Sequence, residues 1–121
     1  MSVEIIDVSD GRLTVKIAGK LKKSELERAQ ASTLEVIREH GKVRILVIAT
    51  GFLGWQHQDD WDDVSFTAKV GKQIEKIAIV GDKRWEDLVL AFTGKGFRPT
   101  AIEYFGATEL ARARAWVDAK R

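Results

Sequence analysis

The chain has 121 residues, 45% of them hydrophobic, which suits a single domain over residues 1–121 with one core and leaves too little for a second independently folded unit. Its 20 basic and 18 acidic side chains are scattered and leave a formal charge of +2, so no concentrated positive field exists to grip a phosphate backbone, and nucleic acid is not an expected partner. With no cysteine, disulfides, thiolate nucleophiles and zinc–thiolate sites are excluded, and the cytoplasm is the expected location.

The first residues, Met1-Ser2-Val3-Glu4-Ile5, lack a basic segment followed by an apolar stretch. No apolar run approaches the roughly 20 residues needed to span a bilayer. Val3 to Val8 is apolar with interspersed acids, and Leu13, Val15 and Ile17 alternate with Arg12, Thr14 and Lys16 in the period-2 pattern of a half-buried strand. Asp10-Gly11 between them reads as a tight hairpin turn. Ser24 and Glu27 have capping-box spacing, so a helix is expected to follow, with Leu26, Ala29, Thr33, Leu34 and Ile37 on one face and a stop at Gly41.

Val43 to Ala49 contains an unbroken apolar run, the pattern of a central strand covered on both faces. The next stretch, Gly51 to Phe66, reads as a glycine-flanked loop carrying Phe52, Leu53 and Trp55, followed by a helix that presents Trp61, Val64 and Ala68 on its buried face. Lys76 to Val80 repeats the buried-strand pattern, Arg84 to Phe92 looks helical, and Thr100 to Phe105 gives a fifth strand. The last helix, about Thr108 to Ala119, places Leu110, Ala113, Trp116 and Val117 on one side. Gly94, Gly96 and Pro99 mark a connector whose "TGKG" lacks the spacing, and has the wrong element order, for a phosphate-binding loop. The predicted order is ββαβαβαβα: an α/β fold with a mixed five-stranded sheet and about four helices.

In this order of elements, and in "GFLGW", "IAIVGDKRWEDL" and "AIEYFGATELARARAWV", the chain resembles the SpoIIAA-like proteins, a branch of the STAS-domain fold also likened to CRAL-TRIO lipid-binding domains. None of these stretches is a catalytic motif, so they specify architecture more than activity. The resemblance implies a small, non-catalytic domain without a cofactor that binds a ligand or associates with membranes, often as a homodimer. In the phosphorylated anti-sigma-factor antagonists of the wider group, the loop after the third strand carries a serine that a partner kinase modifies. Here that place holds Thr50-Gly51-Phe52-Leu53-Gly54-Trp55, Thr50 is its one hydroxyl, and Ser65 lies downstream in the expected helix, so no phosphorylation switch is expected.

Asp59, Asp60, Asp62 and Asp63, with His57 beside them, could be read as a metal site or an acid–base pair. The four carboxylates do not converge on a helix, whereas acids in a first helical turn sit well against the positive end of its dipole, and no metal is expected. His40, at a helix end, is accounted for in the same way. The loop aromatics either cap the sheet or contact a ligand or a membrane. Gly81-Asp82-Lys83-Arg84-Trp85 could attract an anion, while the plainer reading has Asp82 cap the following helix and Trp85 pack under it.

If the third and fourth strands are parallel, both loops emerge at their carboxyl ends, where open α/β sheets place binding crevices. A mostly apolar pocket between Phe52, Trp55, Trp61 and Trp85, with Leu53 and Asp82 at its margin, is therefore the candidate ligand site. Membrane contact is expected through Phe52 and Trp55, with the acidic turn left in water. Two functions follow: a module for an apolar or lipid-like small ligand with reversible peripheral membrane contact, or a protein-interaction regulator resembling an anti-sigma-factor antagonist without its usual serine. Enzyme activity is not expected.

Overall fold

The computed structural model describes residues 3–9, 11–55, 73–93 and 100–119. Along the chain run β1 (Val3–Ser9), β2 (Arg12–Leu21), α1 (Lys23–His40), β3 (Val43–Trp55), β4 (Ile74–Gly81), a 3-10 turn (Lys83–Trp85), α2 (Glu86–Thr93), β5 (Ala101–Gly106) and α3 (Leu110–Asp118). The strands form one sheet in the order β1-β2-β3-β4-β5, with β1 antiparallel to β2 and each later pair parallel. This is the expected α/β class with a mixed five-stranded sheet. Three α-helices lie among the described residues; the helix expected to begin near Asp59 and the connector over 94–99 fall outside them.

Strand periodicity decides which side chains meet which helix. Leu13 and Val15 of β2, Val43 and Ala49 of β3, Ile77 and Ile79 of β4 and Ile102 of β5 belong to one core cluster, against which Leu26, Ala29 and Leu34 of α1 and Val89 and Leu90 of α2 pack. Leu46, Ala78 and Val80 join Ala113 and Val117 of α3 in a second cluster on the other face. Crossovers of one hand that step in one direction across a sheet put their helices on one face, which accounts for α1 and α2 lying together. Following the last strand, α3 is free of that constraint and covers the opposite face.

The apolar stripe of α1 faces the core as expected, and its one polar member, Thr33, is buried with its hydroxyl donating to the Ala29 carbonyl at 2.9 Å. The helix stops at Gly41, where φ is 83° and the N–H donates to the Ile37 carbonyl at 2.7 Å. Its start corrects the sequence reading. Lys22 is the N-cap, with extended backbone and no side-chain cap, and Ser24 already lies inside the first turn. The reason is upstream: β2 runs on through the buried Leu21, so a single residue separates strand from helix.

Two strands are longer than their hydrophobic runs. β2 continues past Ile17 to Leu21 and β3 past Ala49 to Trp55, and the extensions pair with each other: Ala18 with Gly51, Gly19 with Phe52 and Leu21 with Trp55. The segment expected to be a glycine-flanked loop is thus the end of the central strand. Register shifts in this stretch mark bulges, which let a glycine-containing strand bend without losing its partner.

Candidate functional site

The site is built where β3 outruns β4. The last β3–β4 pair is Ala49 with Gly81, so Thr50 through Trp55 project beyond β4, held to β2 through Gly51, Phe52 and Trp55. Phe52 is 6% exposed and belongs to the core. Its ring meets Trp55 at 5.0 Å and Trp85 at 5.1 Å between centroids, and Trp55 meets Trp85 at 6.2 Å, all three pairs edge-to-face. This is the arrangement aromatic quadrupoles prefer. Gly54 makes it possible: its φ of 109° suits glycine, and a Cβ there would lie 3.3 Å from Cη2 of Trp85.

Trp85 is delivered by the turn after β4. Asp82 caps that turn, its carboxylate accepting from the Arg84 backbone N–H at 3.0 Å. The Arg84 guanidinium lies 5.2 Å from the Trp85 ring centroid, a cation–π distance. Trp85 Nε1 is buried and has no acceptor among the described residues. Leu53, next to Phe52 in the strand, is 56% exposed, and Thr50 is exposed as well.

Phe52, Trp55 and Trp85 are therefore brought together as expected, and Asp82 and Trp85 take the cap-and-pack roles. These three rings pack directly against one another, and the fourth wall of the expected pocket, Trp61, lies outside the described residues. Phe52 lies in the core, and Leu53 is the exposed apolar side chain of the segment. Trp61, His57, Ser65 and Asp59, Asp60, Asp62 and Asp63 lie outside the described residues. Among the described residues no group of three or more histidines and carboxylates could hold a metal, and no helix is long and apolar enough to cross a membrane.

Sequence reasoning missed Tyr104. It follows Ile102 at strand period on β5, the signal that would have placed it on the same face, and its hydroxyl donates to the Asp82 carbonyl at 2.6 Å. It thereby ties β5 to the turn that carries Trp85. Burial raises its pKa above the ordinary 10.0, and the charges of Asp82 and Glu86 push the same way. Because the folded state favours the neutral phenol, this stabilisation is present below pH 10.0 and is lost as pH rises through the raised value. Tyr104 is the single tyrosine, so tyrosinate absorbance reads it alone. A midpoint above 10.0 in the folded chain is expected, returning to the ordinary value in denaturant; equal midpoints would show that the hydroxyl is not held.

The SpoIIAA-like family model matches residues 12–118, which spans β2 through α3. The chain belongs to the SpoIIAA-like family. Among solved structures, this SpoIIAA-like chain is similar to the crystal structure of an uncharacterized protein of the DUF3478 family, with a SpoIIAA-like fold, from Shewanella loihica PV-4. The TM-score is 0.71 at 21% identity, covering 95% of this chain and 91% of the other, a likeness of fold. No curated protein sequence matches the chain. The SpoIIAA-like core thus includes the projecting end of β3 and the turn that buttresses it.

Proposed function

We propose that this SpoIIAA-like chain is a non-catalytic binding module that receives an apolar or lipid-like partner on the surface formed by the end of β3, with reversible contact to a membrane. The observation that carries the reading is Leu53, exposed on a strand projection whose inner side is braced by Phe52, Trp55 and Trp85. A rigid support beneath an exposed apolar side chain lowers the entropy cost of ordering the surface on binding. The family's fold is consistent with a binding domain, and fold alone does not name the partner.

Co-sedimentation with phospholipid vesicles, alongside native mass spectrometry of gently purified protein, tests it. The unmodified chain is expected to sediment with vesicles or to retain a lipid, and Leu53→Glu to lose that binding by about tenfold or more, since a carboxylate replaces apolar contact at an interface. Unchanged binding by Leu53→Glu would overturn the placement of the surface.

A second reading, a protein-interaction regulator, is favoured by the filled aromatic trio, which offers a surface for contact in place of a space for enclosure. A pull-down in which the unmodified chain captures a regulatory protein and Leu53→Glu does not, with no vesicle binding by either, selects it.

A further inference from the structure

On the face of the sheet opposite α1, three cations stand in line. Arg12 of β2 pairs in register with Arg44 of β3, and Arg44 with Lys76 of β4. Like charges at neighbouring positions of adjacent strands repel, so such a row needs something negative laid across it. The last turn of α3 is that counterpart. Lys76 Nζ donates to the carbonyls of Trp116 and Ala119, both at 3.0 Å, and lies 5.0 Å from the Trp116 ring centroid. Arg44 reaches the carbonyls of Val117 and Asp118 at 3.5 and 3.4 Å and the Asp118 carboxylate at 3.5 Å. Arg12 closes the row with an ion pair to the other Asp118 oxygen and a longer one, 3.7 Å, to Asp7.

The groups are half shielded from water: the side chains of Arg12 and Asp118 are 18% and 39% exposed. Between α3 and the sheet the fully buried side chains of the helix are small, Ala113 and Val117. Its N-cap, Glu109, makes no side-chain cap bond to the backbone of the helix; one oxygen of that carboxylate accepts from the Gly106 N–H of β5 at 2.9 Å and the other pairs with Arg112 one turn on. Leu110 and Trp116 add apolar contact at the edges of this packing, and at the carboxyl end of α3 the docking is held by charge, where cations are favoured by the dipole and by the last carbonyls.

We infer that α3 is a charge-latched flap: Asp118, gripped by cations from neighbouring strands, sets how often the helix lifts from the sheet and bares Leu46, Ala78 and Val80. This device is separate from the β3 surface and does not depend on it. Screening ions or loss of the Asp118 charge loosen the latch, while the sheet and α1 stay folded.

Native-state hydrogen exchange of the full chain, read separately for α3 and β4, tests this at low and high sodium chloride. In the unmodified chain α3 amides are expected to exchange faster than those of β4 and to speed up with salt. Asp118→Asn is expected to raise the α3 rate about tenfold at low salt, leave β4 unchanged and abolish the salt response. Arg12→Gln should act in the same direction. Exchange of α3 at the β4 rate in the unmodified chain, without salt dependence, would overturn the latch, and so would an equal rise in α3 and β4 on substitution, which means global loss of stability. Should both variants fail to fold, the salt series on the unmodified chain decides alone.

Discussion

Replacing Trp85 with alanine is expected to destabilise the chain by about 3 kcal/mol, the low end for truncating a packed tryptophan because this one is half-buried. The side chain closes two edge-to-face contacts, at 5.1 Å with Phe52 and 6.2 Å with Trp55. It also fills the volume left by the missing Cβ of Gly54. Without it, the end of β3 keeps its hydrogen bonds to β2 and loses its packing on the β4 side. Trp85→Phe restores a ring and should recover more than half of the loss, since one aromatic pair is worth roughly 1 kcal/mol beyond its buried area. Urea unfolding of the three proteins checks this. Stability of Trp85→Ala within about 0.5 kcal/mol of the unmodified chain, the range of ordinary surface substitutions, would show that the trio does not hold the projection in place.

Gly81→Ala is expected to cost about 2 kcal/mol, for a reason specific to this site. A Cβ at Gly81 would lie 2.7 Å from the Tyr104 hydroxyl oxygen and 3.2 Å from the Ala49 carbonyl oxygen. The ring must give way, and its bond to the Asp82 carbonyl goes with it. Tyr104→Phe alone loses that bond, worth about 1 kcal/mol net, and removes the oxygen that the new methyl would strike. The double variant should therefore be more stable than the sum of the singles allows, with a coupling of about 1 kcal/mol in a double-mutant cycle. Strict additivity would mean that the close approach of Tyr104 to Gly81 carries no energy. Because Asp82 begins the turn that delivers Trp85, vesicle binding by Gly81→Ala also reports whether this end of the sheet must be held rigid for function.

The helix faces are legible in the sequence because three- and four-residue spacing is a local property: Leu26, Ala29, Thr33, Leu34 and Ile37 face the core as that spacing requires, and so do Leu110, Ala113, Trp116 and Val117. The unbroken apolar runs likewise mark β3 and β4 as interior strands. Gathering Phe52, Trp55 and Trp85 requires only that those strands be parallel and end on one side. Spacing says nothing, however, about how the rings meet, and only the folded chain sets Phe52, Trp55 and Trp85 edge-to-face against one another.

Fold class, order of elements and the buried face of each helix all rest on short-range periodicity, and the amino-acid sequence carries them unaided. Register between segments distant in the chain belongs to the folded molecule. Gly51 to Trp55 is strand because Ala18 to Leu21 supplies its hydrogen-bond partners, and no local pattern of glycines and aromatics encodes that pairing. Arg12, Arg44 and Lys76 become one row, and Asp118 the counter-ion that both arginines share, because β2, β3 and β4 align at those residues and α3 ends above them.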